Sequence, residues 1–251
     1  MLSSRDKKIL WKIEELWNKN YSPIFKVNFP TEKITALYEQ GVSRYNPHFH
    51  FVEEFVFRSS QNPVHSDAYG EYFGLEKSQL LKKNGKFIYL FDNHNKIIQP
   101  FLEYAEITGK GFDVVHIDAH DDDAVFAKQK PHHPSLQEVQ NYIAQTRISD
   151  FFDFLSLAFL RGEKHIPLIK NIYRYTKSSD FQEFKKPKES YLLSLDIDIF
   201  GPEGDFVDLE SKIKIIAKAW RDAEVICIAT SPGFINQDFA HYIINILLQR
   251  N

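Results

Sequence analysis

The chain has 251 residues, a net charge of −3 and 26% charged residues, a balance that excludes the strong basic field used to hold nucleic acid or acidic membrane surfaces. With 43% hydrophobic and 15% aromatic residues it can bury a sizeable core, and a single α/β domain over 1–251 is the expected organisation. The one cysteine, Cys227, lies in the apolar run 225–229, the N-terminus carries no signal-peptide core, and no apolar stretch approaches a membrane span. Together these predict a cytoplasmic protein without disulfides or membrane contact.

Residues 5–18 predict an amphipathic helix, because Ile9, Leu10, Ile13, Leu16 and Trp17 recur at helical spacing. Residues 19–85 are aromatic-rich around 49–57 and are broken by Asn-Pro at 46–47 and 62–63 and by Gly70 and Gly74, which predicts short strands and loops. From 86 the rhythm is regular. A strand at 86–92, a helix near 94–108 and the turn Gly109-Lys110-Gly111 lead to a strand at 112–118. Helices are predicted over 135–145 and 148–160, then strands over 169–175 and 191–198. The helix 208–222 carries an apolar face of Leu209, Ile213, Ile216, Ala217 and Trp220. A buried strand at 224–230 is broken by Ser231-Pro232-Gly233 before a last helix at 237–249. Continuous apolar strands alternating with helices predict a parallel sheet covered on both faces. The basic run Lys185-Lys186-Pro187-Lys188 reads as a solvated loop.

Two of these strands end in acids and histidine. The first gives Asp118, His120 and Asp122, and the second gives Asp196 and Asp198. In a strand, side chains at i and i+2 share a face, so each pair is expected to point one way. Burying several carboxylates costs several kcal/mol each unless something cationic compensates, and open α/β sheets place ligands at the carboxyl ends of their strands. A third contributor, His94, follows the strand 86–92. Six such donors are enough for two divalent metals if carboxylates bridge, and an oxygen-rich set with two imidazoles suits Mn²⁺, or less specifically Zn²⁺, Fe²⁺ or Co²⁺. His116 is expected to be a core histidine beside the site, and His48 and His50 to lie on a half-exposed strand.

Asp118-Ala119-His120-Asp121-Asp122 resembles the Asp-Ala-His-x-Asp signature of the arginase/ureohydrolase superfamily, and Ser194-Leu195-Asp196-Ile197-Asp198 resembles its Ser-x-Asp-x-Asp signature. The likeness covers about 86–235 and leaves 1–85 as a divergent N-terminal part. It implies a three-layer α/β/α fold around a parallel, eight-stranded sheet and two Mn²⁺ per chain. His94, Asp118, Asp122 and Asp196 would hold one ion and Asp118, His120, Asp196 and Asp198 the other, with a bridging hydroxide as nucleophile.

The departures narrow the substrate. Asp123-Ala124-Val125-Phe126 cannot grip a free amino acid's zwitterion, and Ile228 to Pro232 lacks the family's guanidinium-binding acid. This pattern resembles peptide arginases, which convert arginine to ornithine within ribosomally made precursor peptides and release urea. The implied partner is then a precursor peptide. His133, or its neighbour His132, would shuttle the proton to the leaving amine, and Glu203 and Asp205 are the candidate substrate acids. Competing expectations are an agmatinase-like small-molecule ureohydrolase, a single-zinc deacetylase and a non-catalytic metal-binding protein. A homo-oligomer fits the family, although nothing in the chain marks an interface.

Overall fold

The computed structural model describes residues 2–21, 49–122, 135–145, 158–161 and 164–249. Helix α1 (Ser4–Asn20) starts at a capping box, in which the Ser3 hydroxyl accepts from the Asp6 N–H at 3.1 Å and the Asp6 carboxylate accepts from the Ser3 N–H at 3.0 Å. Its buried Ile13, Leu16 and Trp17 are the face predicted from spacing, with Ile9 and Leu10 half-buried beside them.

The strands, numbered along the chain, are β1 (Phe49–Val52), β2 (His65–Ser66), β3 (Glu71–Tyr72), β4 (Ser78–Lys83), β5 (Lys86–Phe91), β6 (Phe112–Ile117), β7 (Ala158–Arg161), β8 (Lys164–Pro167), β9 (Ile169–Tyr175), β10 (Tyr191–Asp196) and β11 (Val225–Ala229). Seven of them form the central sheet in the order β1-β4-β5-β11-β10-β6-β9. From β5 to β9 every pairing is parallel, whereas β4 pairs antiparallel with β5 and β1 runs with β4. The sheet is therefore mostly parallel, not wholly so as the sequence reading expects. The cause is local: Asn84 and Gly85 both take positive φ (50° and 73°), the geometry of a two-residue hairpin turn that reverses the chain without a crossover helix.

The remaining helices are α2 (Ile98–Thr108), α3 (Leu136–Gln145), α4 (Leu209–Asp222) and α5 (Gln237–Leu248). Strand residues alternate between two cores. Phe87, Tyr89 and Phe91 face α2, and Ile88 and Leu90 face the side covered by α1, α4 and α5. Helices thus cover both faces of the sheet, and each face buries aliphatic and aromatic area at roughly 25 cal/mol per Å². Trp17 stacks on Tyr21 at 4.5 Å and meets the edge of Trp220 at 5.8 Å, which locks α1 to α4. The helix expected over 148–160 differs in its described part, because 158–161 form β7 in a short antiparallel ladder with β8. No helix among the described residues is long and apolar enough to cross a membrane.

Beyond β10 the chain turns tightly through 3₁₀ segments at Ile197–Phe200 and Pro202–Gly204. A Cβ on Gly204 would stand 2.0 Å from the Ile199 carbonyl oxygen, which explains the glycine. Gly204→Ala is expected to cost ~1–3 kcal/mol, read as a lower thermal unfolding midpoint. An unchanged midpoint would show that this turn is not closely packed.

Candidate metal centre

Because the central strands are parallel, the ends of β5, β6, β10 and β11 open on one edge of the sheet. His94 begins a 3₁₀ turn just past β5, Asp118, His120 and Asp122 follow β6, and Asp196 and Asp198 sit where β10 passes into its own 3₁₀ turn. Strand alternation is not what aims them. Asp118 Oδ1 accepts from the His120 N–H at 2.7 Å, and Asp196 Oδ1 accepts from the Asp198 N–H at 3.0 Å. Each acid closes a turn on the residue two positions on, and that turn swings the next donor inward. Asp122 takes φ 46°, and Ser231, after β11, takes φ 43°. The left-handed region is uncommon for such residues, and both side chains here reach the cluster. The Ser231 hydroxyl donates to Asp196 Oδ2.

Two groups of donors result. His94 Nδ1 lies 2.7 Å from Asp118 Oδ2, 3.2 Å from Asp196 Oδ2 and 3.3 Å from Asp122 Oδ2. His120 Nδ1 lies 3.0 Å from Asp198 Oδ2 and 3.3 Å from Asp118 Oδ1. Asp118, His120 and Asp198 present ligand atoms all within 4.8 Å of one another, as do His94, His116 and Asp118. All four aspartates are buried, as is His94, while the His120 side chain is 35% exposed.

The charges are met by protons held within the cluster itself. Burial, reinforced by Asp196 and Asp118, pushes Asp198 well above the ordinary carboxylate range. Burial also lifts Asp122, to about 7. Against a burial penalty, the bonds to Asp118, Asp122 and Asp196 raise His94 well above 6.5. Bonds to Asp118 and Asp198 raise His120 to about 11. Asp118, buried but held by His120 and His94, is driven down. The site thus keeps protons in place of a cation. Asp122 Oδ2 is enclosed and meets His94 Nδ1 at 3.3 Å, a nitrogen already bonded to Asp118 Oδ2 at 2.7 Å. Buried carboxylate oxygens and imidazole nitrogens fit a divalent metal ion, and these groups could hold one.

No protein-family model, no curated protein and no solved structure matches this chain. The site therefore rests on its own geometry. All six expected ligand residues come together. Glu203 does not stand apart as a substrate acid, since its carboxylate accepts from His120 Nε2. That bond fixes the His120 tautomer and leaves Nδ1 for the cluster. Asp205 is at the surface, paired with Arg5 at 2.8 Å. His132 and His133 lie outside the described residues, as does His48, while His50 is exposed on β1.

Ser231 and Glu71 escaped the sequence reading. The signal for Ser231 was its place directly beyond a buried strand at the site's edge. Glu71 lines an open cleft of about 580 Å³ shared with Tyr72, Pro202, Gly233 and Phe234. Phe234 carries the cleft to the cluster, its ring 5.1 Å from that of His120.

Proposed function

We propose that the protein is a metal-dependent hydrolase that holds two divalent cations, with manganese the best match to the donors, and converts the arginine side chain of a peptide to ornithine and urea. The observation that carries this is the two-sided use of Asp118, whose Oδ2 is 2.7 Å from His94 Nδ1 and whose Oδ1 is 3.3 Å from His120 Nδ1. One carboxylate serves two donor groups, His94 with Asp122 and Asp196, and His120 with Asp198. A bound pair of divalent ions supplies ionised water at neutral pH and offsets negative charge developing on the substrate.

The chain's own residues do the rest. Glu203 holds the His120 ring, and Ser231 and the Asp198 N–H hold both oxygens of Asp196. Water adds to the guanidinium carbon, the bond from that carbon to the side-chain nitrogen breaks, and the leaving amine takes a proton, a role this reading gives to His133 or His132. A peptide substrate is supported by the cleft. Its charged groups Arg5 and Asp6 are engaged with Asp205 and in the Ser3 capping box, so they do not offer a free pair to a zwitterion. Glu71 has no side-chain partner among the described residues and is available to a guanidinium.

The test is urea release, with mass spectrometry of the product, after incubating the Mn²⁺-loaded protein with arginine-containing peptides, free arginine and agmatine. Ornithine in peptides is the expected result. Turnover of agmatine alone would move the reading to a small-molecule ureohydrolase. One zinc per chain with amide-acetyl cleavage would move it to a deacetylase. Stoichiometric metal with no turnover of any of these would leave a binding protein.

A further inference from the structure

His116 is buried beside His94 and Asp118 and has no part in the proposed reaction. Its ring lies 5.3 Å from that of His94, nearly parallel, and the Ser194 hydroxyl joins the two: His94 Nε2 is 2.8 Å from Ser194 Oγ, and His116 Nδ1 is 3.1 Å from the same oxygen. His116 Nε2 faces Asp118 Oδ2 at 3.7 Å. The ionised Asp118 carboxylate repels a bare nitrogen, so the N–H of His116 sits on that side. With Nδ1 turned to Ser194, the N–H is at Nε2, and Nδ1 is left as an acceptor. The Ser194 hydroxyl must then donate to His116, and its oxygen accepts from His94 Nε2–H. Once a cation displaces the proton shared with Asp118, His94 presents a bare Nδ1, the atom that faces Asp118, Asp122 and Asp196.

We infer that His116 is a positioning residue which, through the Ser194 hydroxyl, fixes the tautomer and ring orientation of His94 for metal binding. This rests on the metal-binding reading of the site and not on any particular reaction. The polarity of the chain is set at its far end by the Asp118 carboxylate, which faces His116 Nε2 and can only accept.

The test is calorimetric titration of the metal-free protein with Mn²⁺, beside thermal unfolding of the same metal-free samples. His116→Phe keeps a flat ring and removes the acceptor. It is expected to weaken Mn²⁺ binding by about 10–100-fold. His116→Asn returns an acceptor near the Nδ1 position and is expected to recover most of the affinity. Ser194→Ala should weaken binding by a similar factor, and the Ser194→Ala/His116→Phe double variant by no more than either alone. Wild-type affinity in folded His116→Phe, or multiplied losses in the double variant, would overturn the inference. Should His116→Phe not fold, Ser194→Ala against His116→Asn decides it: weakening in the first alone supports the chain, and equal affinity in both rejects it. A wild-type protein that binds no Mn²⁺ sinks the metal reading itself, a separate and visible outcome.

Discussion

Under the proposed two-metal mechanism, Asp118→Asn is expected to abolish the second metal and lower turnover roughly ten-thousandfold, about 5.4 kcal/mol of barrier. Asparagine has the same shape and can still accept from the His120 N–H through one oxygen, as Asp118 does at 2.7 Å. It cannot present two anionic oxygens. Its amide would turn an N–H toward either the His94 or the His120 side of the cluster, where Asp118 now offers Oδ2 and Oδ1 respectively. The fold should survive, because Asp118 follows β6 rather than lying within it. Metal analysis should show fewer than two ions per chain with an unchanged circular dichroism spectrum. Full turnover and two ions would remove Asp118 from the centre of the site.

Mn²⁺ affinity is expected to rise by at least tenfold, and up to about a thousandfold, between pH 6 and pH 8. The sign follows from what must leave. Asp122 is raised to about 7, so below that pH it carries a proton that a cation must displace. This alone gives about tenfold across the window. His120 is raised to about 11 and is a cation throughout, so its proton must leave as well. That adds up to about a hundredfold, reduced because the ring is 35% exposed and water screens its ion pairs. The metal-free fold should behave in the opposite sense. Its Asp122 keeps a proton that the unfolded chain loses above about 3.8, so this group's stabilisation fades as pH rises toward 7. Titrations at several pH values in buffers of different ionisation enthalpy would count the protons released. An affinity flat with pH would mean that the cluster holds no such protons.

The cluster is legible in the sequence because acids and histidines ending apolar strands violate burial rules unless something compensates. The reason given for their convergence was only partly right. Alternation put Asp196 and Asp198 on one strand face, but β10 stops at Asp196, and the turn closed by the Asp198 N–H does the aiming. The parallel core was readable from its unbroken apolar strands. The reversed edge rests on Asn84-Gly85, a hairpin pair inside the stretch that reads only as short strands and loops. Glu203 reads in the sequence as an acid near the site, yet which neighbour it serves depends on the turn at Gly204, and nothing local specifies that. Ser194 was noticed as part of a motif, whereas its link to His116 spans 78 residues and needs the register of β6 against β10.

The Arg5–Asp205 pair joins the first turn of α1 to the loop that carries Glu203. The amino-terminal helix, for which the metal motifs give no role, is thereby fastened to the wall of the chemistry. Both partners are more than half exposed, so the clasp is weak by itself and weaker in salt. Trimming the chain to its motif-bearing part would release that wall, and ionic strength alone should loosen it in the intact protein.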